Sequence, residues 1–134
     1  MALGYVTTLR NARLDQISSG TAGVGASGKF RVYSGTKPAV GAAIGGATML
    51  AEMTLNATFA PAASGGVLTL NAITSATAVA SGTPTWARFW KSDGTTAVVD
   101  MTAGVGSGDL NFNAAIVSGG TVACSSAVIT DGTP

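Results

Sequence analysis

Met49-Leu50-Ala51-Glu52-Met53-Thr54-Leu55-Asn56-Ala57-Thr58-Phe59 is the stretch that decides the fold. Met49, Ala51, Met53, Leu55, Ala57 and Phe59 alternate with Glu52, Thr54, Asn56 and Thr58. Successive side chains of a strand project to opposite faces, so this period of two predicts a central β-strand with one apolar and one wet face. The same period extends outward in both directions. Phe30 and Val32 alternate with Arg31 and Tyr33, and further strands are predicted over residues 67–73, 77–80, 85–91, 96–101, 109–113 and 122–130, about eight in all. Turns rich in Gly, Ser and Asp separate them, and Asp93-Gly94 between Phe89-Trp90 and Ala97-Val98-Val99 is the strongest hairpin signal. Short strands at this spacing, with no helices between them, predict an all-β fold: an antiparallel β-sandwich of the jelly-roll kind.

The first twenty residues follow a different period. Val6, Leu9, Arg10, Arg13, Leu14 and Ile17 fall at spacings of three and four, predicting a short amphipathic α-helix that Thr7 or Thr8 caps and Ser18-Ser19-Gly20 ends. The Gly-rich residues 20–28 read as a flexible link, so the expected organisation is a helix or arm over 1–20 and a β-domain over 21–134. A helix in that position either packs against the β-domain or is held out as an arm. Residues 38–51 carry one of the longer uncharged runs, but they fall short of the roughly 18 needed to span a bilayer. Gly41, Gly45 and Gly46 interrupt them, which reads as a flexible loop.

Composition excludes whole classes of function. The chain has 134 residues, 10% of them charged, with no His and one Cys. Most chemistry near neutral pH uses a His, a carboxylate pair, an activated thiol or a metal. Asp15, Glu52, Asp93, Asp100, Asp109 and Asp131 are scattered singly, and Met101-Thr102-Ala103-Gly104 lacks the closely spaced oxygens of a cation loop. No catalytic residue, cofactor or metal is expected, and the protein is expected not to be an enzyme. A net charge of +1 argues against a nucleic-acid partner. Met1-Ala2-Leu3-Gly4-Tyr5 has no basic segment followed by an apolar one, so synthesis in a cytoplasm without a secretory signal is expected. Cys124, with no His to activate it, reads as a small buried hydrophobe on a strand.

Trp86, Arg88 and Trp90 share one face of a predicted strand, opposite Ala87, Phe89 and Lys91. Two indoles flanking a guanidinium make either a ligand platform, as for sugars, or a strand buried by Phe89 on one side and by a neighbouring subunit on the other. The second reading is preferred, because interfaces select aromatic residues and Arg.

Three stretches carry a family resemblance: Leu9-Arg10-Asn11-Ala12-Arg13-Leu14-Asp15-Gln16-Ile17, Gly28-Lys29-Phe30-Arg31-Val32-Tyr33-Ser34-Gly35-Thr36 and Phe59-Ala60-Pro61-Ala62-Ala63-Ser64-Gly65-Gly66-Val67. With residues 86–100 and Asp109-Leu110-Asn111-Phe112-Asn113, the chain resembles a family of small virion proteins of tailed bacteriophages, nearly end to end. The resemblance implies a structural protein of the particle, a capsid decoration or cement protein on the exterior of the virion. Its partners would be the major capsid protein and copies of itself, as a homotrimer, with no membrane or nucleic acid involved. A collar, connector or tail position, or a carbohydrate-binding host-adhesion module, is the alternative. On this reading Leu9, Arg10, Arg13, Leu14 and Ile17 dock on the capsid, and Trp86, Arg88 and Trp90 meet a sister subunit.

Overall fold

The computed structural model describes residues 3–124 and 127–132. Among them are one helix, α1 (Thr7–Ser19), and nine strands: β1 (Lys29–Ser34), β2 (Thr48–Thr54), β3 (Val67–Thr69), β4 (Ala76–Thr77), β5 (Trp86–Trp90), β6 (Ala97–Val105), β7 (Leu110–Phe112), β8 (Thr121–Val122) and β9 (Val128–Thr130). Five of them form one sheet in the order β2-β1-β5-β6-β7, and two small ladders pair β3 with β9 and β4 with β8. The protein is therefore all-β with one short helix. The sheet is antiparallel except at its edge, where β7 runs parallel to β6.

Every residue of β5 is buried, because both faces of the sheet are covered at this strand. On one face Phe30, Val32, Ala51, Met53, Ala87 and Phe89 form a single core with Leu68, Leu70, Ile73, Ile116 and Val122 from the ladders and connecting chain. Phe89 sits at its centre, 4.8 Å from Phe30 and edge-on to Phe59 at 5.5 Å between ring centroids. Full burial of each such ring contributes about 1.5–3 kcal/mol. The opposite face carries the second cluster of Tyr33, Trp86 and Trp90.

The deciding strand is shorter than its period suggests. β2 ends at Thr54, although Leu55 and Phe59 remain buried in the chain beyond it. Val32 pairs with Ala51 but Tyr33 pairs with Met49, so Leu50 is an inserted bulge residue. The insertion inverts the alternation: Ala51 and Met53 face the main core, while Met49 packs against the Tyr33–Trp86 cluster. Elsewhere the expected strand over 96–101 runs on through Gly104 to Val105. The expected strand over 122–130 is divided instead, its first part pairing with β4 and its last with β3, while residues 125 and 126 lie outside the described set. At the Asp93-Gly94 hairpin, residues 91–96 close the connection with Lys91 N–H donating to Thr96 O at 3.0 Å. Gly94, at φ +68°, takes the left-handed conformation the turn needs.

α1 packs against the β-structure; the arm alternative does not describe it. Val6, rather than Thr7 or Thr8, takes the N-cap position, with no side-chain cap. Leu14 lies in the main core and Ile17 packs against it. The rest of the inward face is polar and individually paired. The Asn11 side-chain oxygen accepts from Gly66 N–H at 2.8 Å, Asp15 accepts from Ala63 N–H at 2.7 Å, and the Arg10 guanidinium donates to the Asp131 carbonyl. Residues 20–28 are a packed turn, not a free link: Val24 is 2% exposed, and its N–H donates to Ile17 O at 2.8 Å. A Cβ at Gly23 would lie 2.3 Å from the Gln16 carbonyl, so the close approach of turn to helix needs a glycine there.

Candidate functional site

Four charged residues stand in register across the second face of the sheet. Glu52 on β2 opposes Arg31 on β1, Arg31 opposes Arg88 on β5, and Arg88 opposes Asp100 on β6. Like charges directly opposite repel. Each guanidinium is therefore neutralised from its outer side: Arg31 Nε donates to Glu52 Oε2 at 2.5 Å, and Arg88 grips both oxygens of Asp100 through Nε and Nη2. The two pairs differ in burial. The Arg31 and Glu52 side chains are 22% and 32% exposed, whereas those of Arg88 and Asp100 are each 1% exposed.

Aromatic rings fill the spaces between the charges. Tyr33 stacks on Trp86 with ring centroids 4.2 Å apart, Arg88 lies 5.3 Å and 5.0 Å from the Trp86 and Trp90 rings, and Arg31 lies 5.1 Å from Trp90. The third Arg88 branch, Nη1, donates to Ala42 O at 2.8 Å, and Gly41 N–H donates to Asp100 Oδ2 at 3.1 Å. Burial pushes the Asp100 carboxyl up, but the Arg88 hydrogen bonds and the Gly41 N–H outweigh it, leaving the group below the usual carboxylate range. Burial raises the Tyr33 phenol, partly offset by the nearby Trp90 indole and Arg31 guanidinium. Even so, the Tyr33 hydroxyl and the Trp86 and Trp90 indole N–H groups make no hydrogen bond of normal geometry.

This geometry relocates the residues singled out in the sequence. Trp86, Arg88 and Trp90 share one face as expected, but they are 0%, 1% and 8% exposed within the single chain. Ile44, Ala47, Met49 and Ala97 of the same chain pack against this cluster. A sister subunit would meet the covering chain before it met these three residues. A sugar platform needs an open ring face, and with Tyr33, Arg31 and Arg88 on the indoles this arrangement presents none. The five helix residues are likewise divided. Leu14 and Ile17 are in the core and Arg10 holds the Asp131 carbonyl, while Leu9 is 46% exposed and Arg13 reaches Asp131 with half its side chain in solvent.

All six carboxylates are engaged within the chain. Besides Asp15, Glu52, Asp100 and Asp131, Asp93 accepts from Thr95 and Thr96, and Asp109 accepts from Thr102. The Thr96 hydroxyl and N–H hold the exposed Asp93 carboxyl far below the usual range, and Thr102 lowers Asp109 in the same way.

A half-open cleft of about 1120 Å³ lies on the other side of the sheet. Its floor is Phe30, Met53 and Phe89, and its walls include Val99, Met101, Leu110, Phe112, Ile116, Val122 and Ile129. Cys124 also lines it, but it is half-buried and lies beyond the end of β8 rather than buried on a strand as expected. Leu3, Val6 and Leu9, 46–73% exposed, form an apolar run at the start of α1. Sequence reasoning missed the cleft, which depends on how residues 109–124 and 127–130 return across the sheet. It also missed the charge row, whose one legible sign was a lone charge inside each of several apolar strands. No helix among the described residues is long and apolar enough to cross a membrane. Comparison with protein-family models, curated proteins and solved structures finds no match to this chain.

Proposed function

We propose that this protein is a structural component of a bacteriophage virion, a decoration protein that binds the outside of the capsid and acts by assembly rather than by catalysis. The observation that carries the reading is the half-open cleft beside β6 and β7, with Val99, Met101, Leu110 and Phe112 among its walls, together with the exposed Leu3, Val6 and Leu9. Exposed apolar surface of this kind marks contact with other proteins. The charged groups give no competing signal, because each carboxylate is committed to a turn, a backbone N–H or an Arg of the same chain. The resemblance of residues 9–17, 28–36, 59–67 and 86–100 to small virion proteins supplies the context.

The finer fold belongs to the same proposal. The five-stranded sheet and the two ladders act as the layers of a sandwich, since Phe30 and Phe89 share a core with Leu68, Ile73 and Val122. Self-association, with a trimer as the working stoichiometry, brings the cleft of one copy against a neighbour. Weak contacts repeated around a symmetric shell then sum to firm attachment to the major capsid protein. Within the helix, Leu9 and Arg13 are the members of the expected docking set that face outward. Stained gels of purified particles test the assignment. Copy numbers rivalling the major capsid protein are expected, copies in the tens would place the chain at a collar or tail, and its absence from particles would refute a virion role.

A further inference from the structure

Residues 35–47 join β1 to β2 and lie over the Trp86–Arg88–Trp90 face, yet none of them is itself buried. Ile44 and Ala47 are the side chains this segment contributes to the aromatic cluster. Two hydrogen bonds fasten its middle: Arg88 Nη1 to Ala42 O at 2.8 Å, and Gly41 N–H to Asp100 Oδ2 at 3.1 Å. Where the segment leaves β1, Gly35 O accepts from the Thr85 hydroxyl at 2.6 Å; its remaining backbone bonds, Ala42 N–H to Ala39 O and Ala47 N–H to Ile44 O, are local turns that can move with it. Gly35, Gly41 and Gly45 have φ of +99°, +74° and +60°, conformations available to glycine at little cost.

Closure is also incompletely satisfied. Beneath the segment the Tyr33 hydroxyl and both indole N–H groups are removed from water without a regular partner, a condition that costs free energy and that water would relieve. Segments with few buried apolar contacts are the ones that open locally while the rest of a fold stays intact. We propose that residues 35–47 form a gate, opening as a unit while the five-stranded sheet stays paired and uncovering Trp86, Arg88 and Trp90. The gate is a property of the isolated chain and stands independently of the virion reading. For that reading it supplies the step by which these three residues become available to a neighbour.

Trp86 and Trp90 are the two tryptophans of the chain, so tryptophan fluorescence, excited selectively over tyrosine, reports on this face alone. A Cβ at Gly41 or Gly45 would meet nothing within 4 Å, so Gly41→Ala and Gly45→Ala strain the closed backbone without touching the sheet. Each is expected to raise the open fraction about tenfold, the effect of about 1.4 kcal/mol. In Gly45→Ala, hydrogen exchange at the Gly41 amide should accelerate by about that factor, while the amides of β1 and β5 keep their wild-type rates. Acrylamide quenching of tryptophan should rise in both variants at unchanged far-UV circular dichroism. Exchange of the wild-type Gly41 amide at the rate of the β5 amides would overturn the gate, as would equal acceleration of the sheet amides. Faster Gly41 exchange with unaltered quenching would also overturn it, because the opening would then leave the tryptophans covered.

Discussion

Arg88 and Asp100 show how a charged residue comes to sit in the most buried strand of an apolar protein. A buried ion pair gains little over a well-packed apolar pair, because desolvation offsets attraction, but removing one partner strands the other charge. Asp100→Asn is therefore expected to cost about 3–5 kcal/mol in urea unfolding. Arg88→Met combined with Asp100→Leu should cost less than the sum of the single changes, because no charge is left buried. Tyr33 is the reverse case. Its hydroxyl is buried without a regular hydrogen bond, so Tyr33→Phe should leave stability within about 1 kcal/mol of wild type or raise it, where loss of a formed bond would lower it. Because burial raises the Tyr33 phenol, stability is unaffected by its ionisation below the ordinary pKa near 10 and is lost as pH climbs from there through the higher folded value. Tyr33→Phe should flatten that alkaline loss in pH-dependent thermal melts.

At the scale of elements, α1 behaves as part of the domain because its inward face is fixed by named contacts. Leu14 is 3% exposed, so Leu14→Ala should cost about 2–5 kcal/mol. Deleting residues 1–19 should yield a chain that fails to fold, since Leu14 leaves the core and the N–H groups of Ala63 and Gly66 lose their acceptors. A soluble, β-rich truncation with a cooperative melt would restore the arm reading. The helix itself was legible from residues 6–17, as were the strands around Phe30, Met53 and Phe89, because period carries through to local structure. Which side of α1 faces inward was not, since Asn11 and Asp15 do as much to hold it as Leu14 and Ile17. The bulge at Leu50 was equally hidden: inserting one residue moves Met49 to the other face, and alternation read along one strand contains no sign of its partner's register.

Across the whole molecule, the charges are few and nearly all spent on the fold. Asp93, Asp100 and Asp109 all lie below their ordinary pKa, so their stabilisation is complete above about pH 4 and is lost as pH falls through the folded values. Acid melts should show stability falling below that pH, with a shallower slope in Asp100→Asn. The candidate site was half legible in the sequence. Trp86, Arg88 and Trp90 do share a face, but Asp100, Glu52 and the covering residues 35–47 reach it through pairing across the sheet and a loop closure no local pattern encodes. Apolar side chains are exposed at Leu3, Val6 and Leu9 and line much of the cleft, and the central claim is that this surface is used for assembly. Sedimentation equilibrium of the purified chain at micromolar concentration tests this most directly. The expected mass is a multiple of the 13.0 kDa chain, reduced towards one chain by Leu110→Asp in the cleft wall. A wild-type mass of a single chain across that range would contradict it.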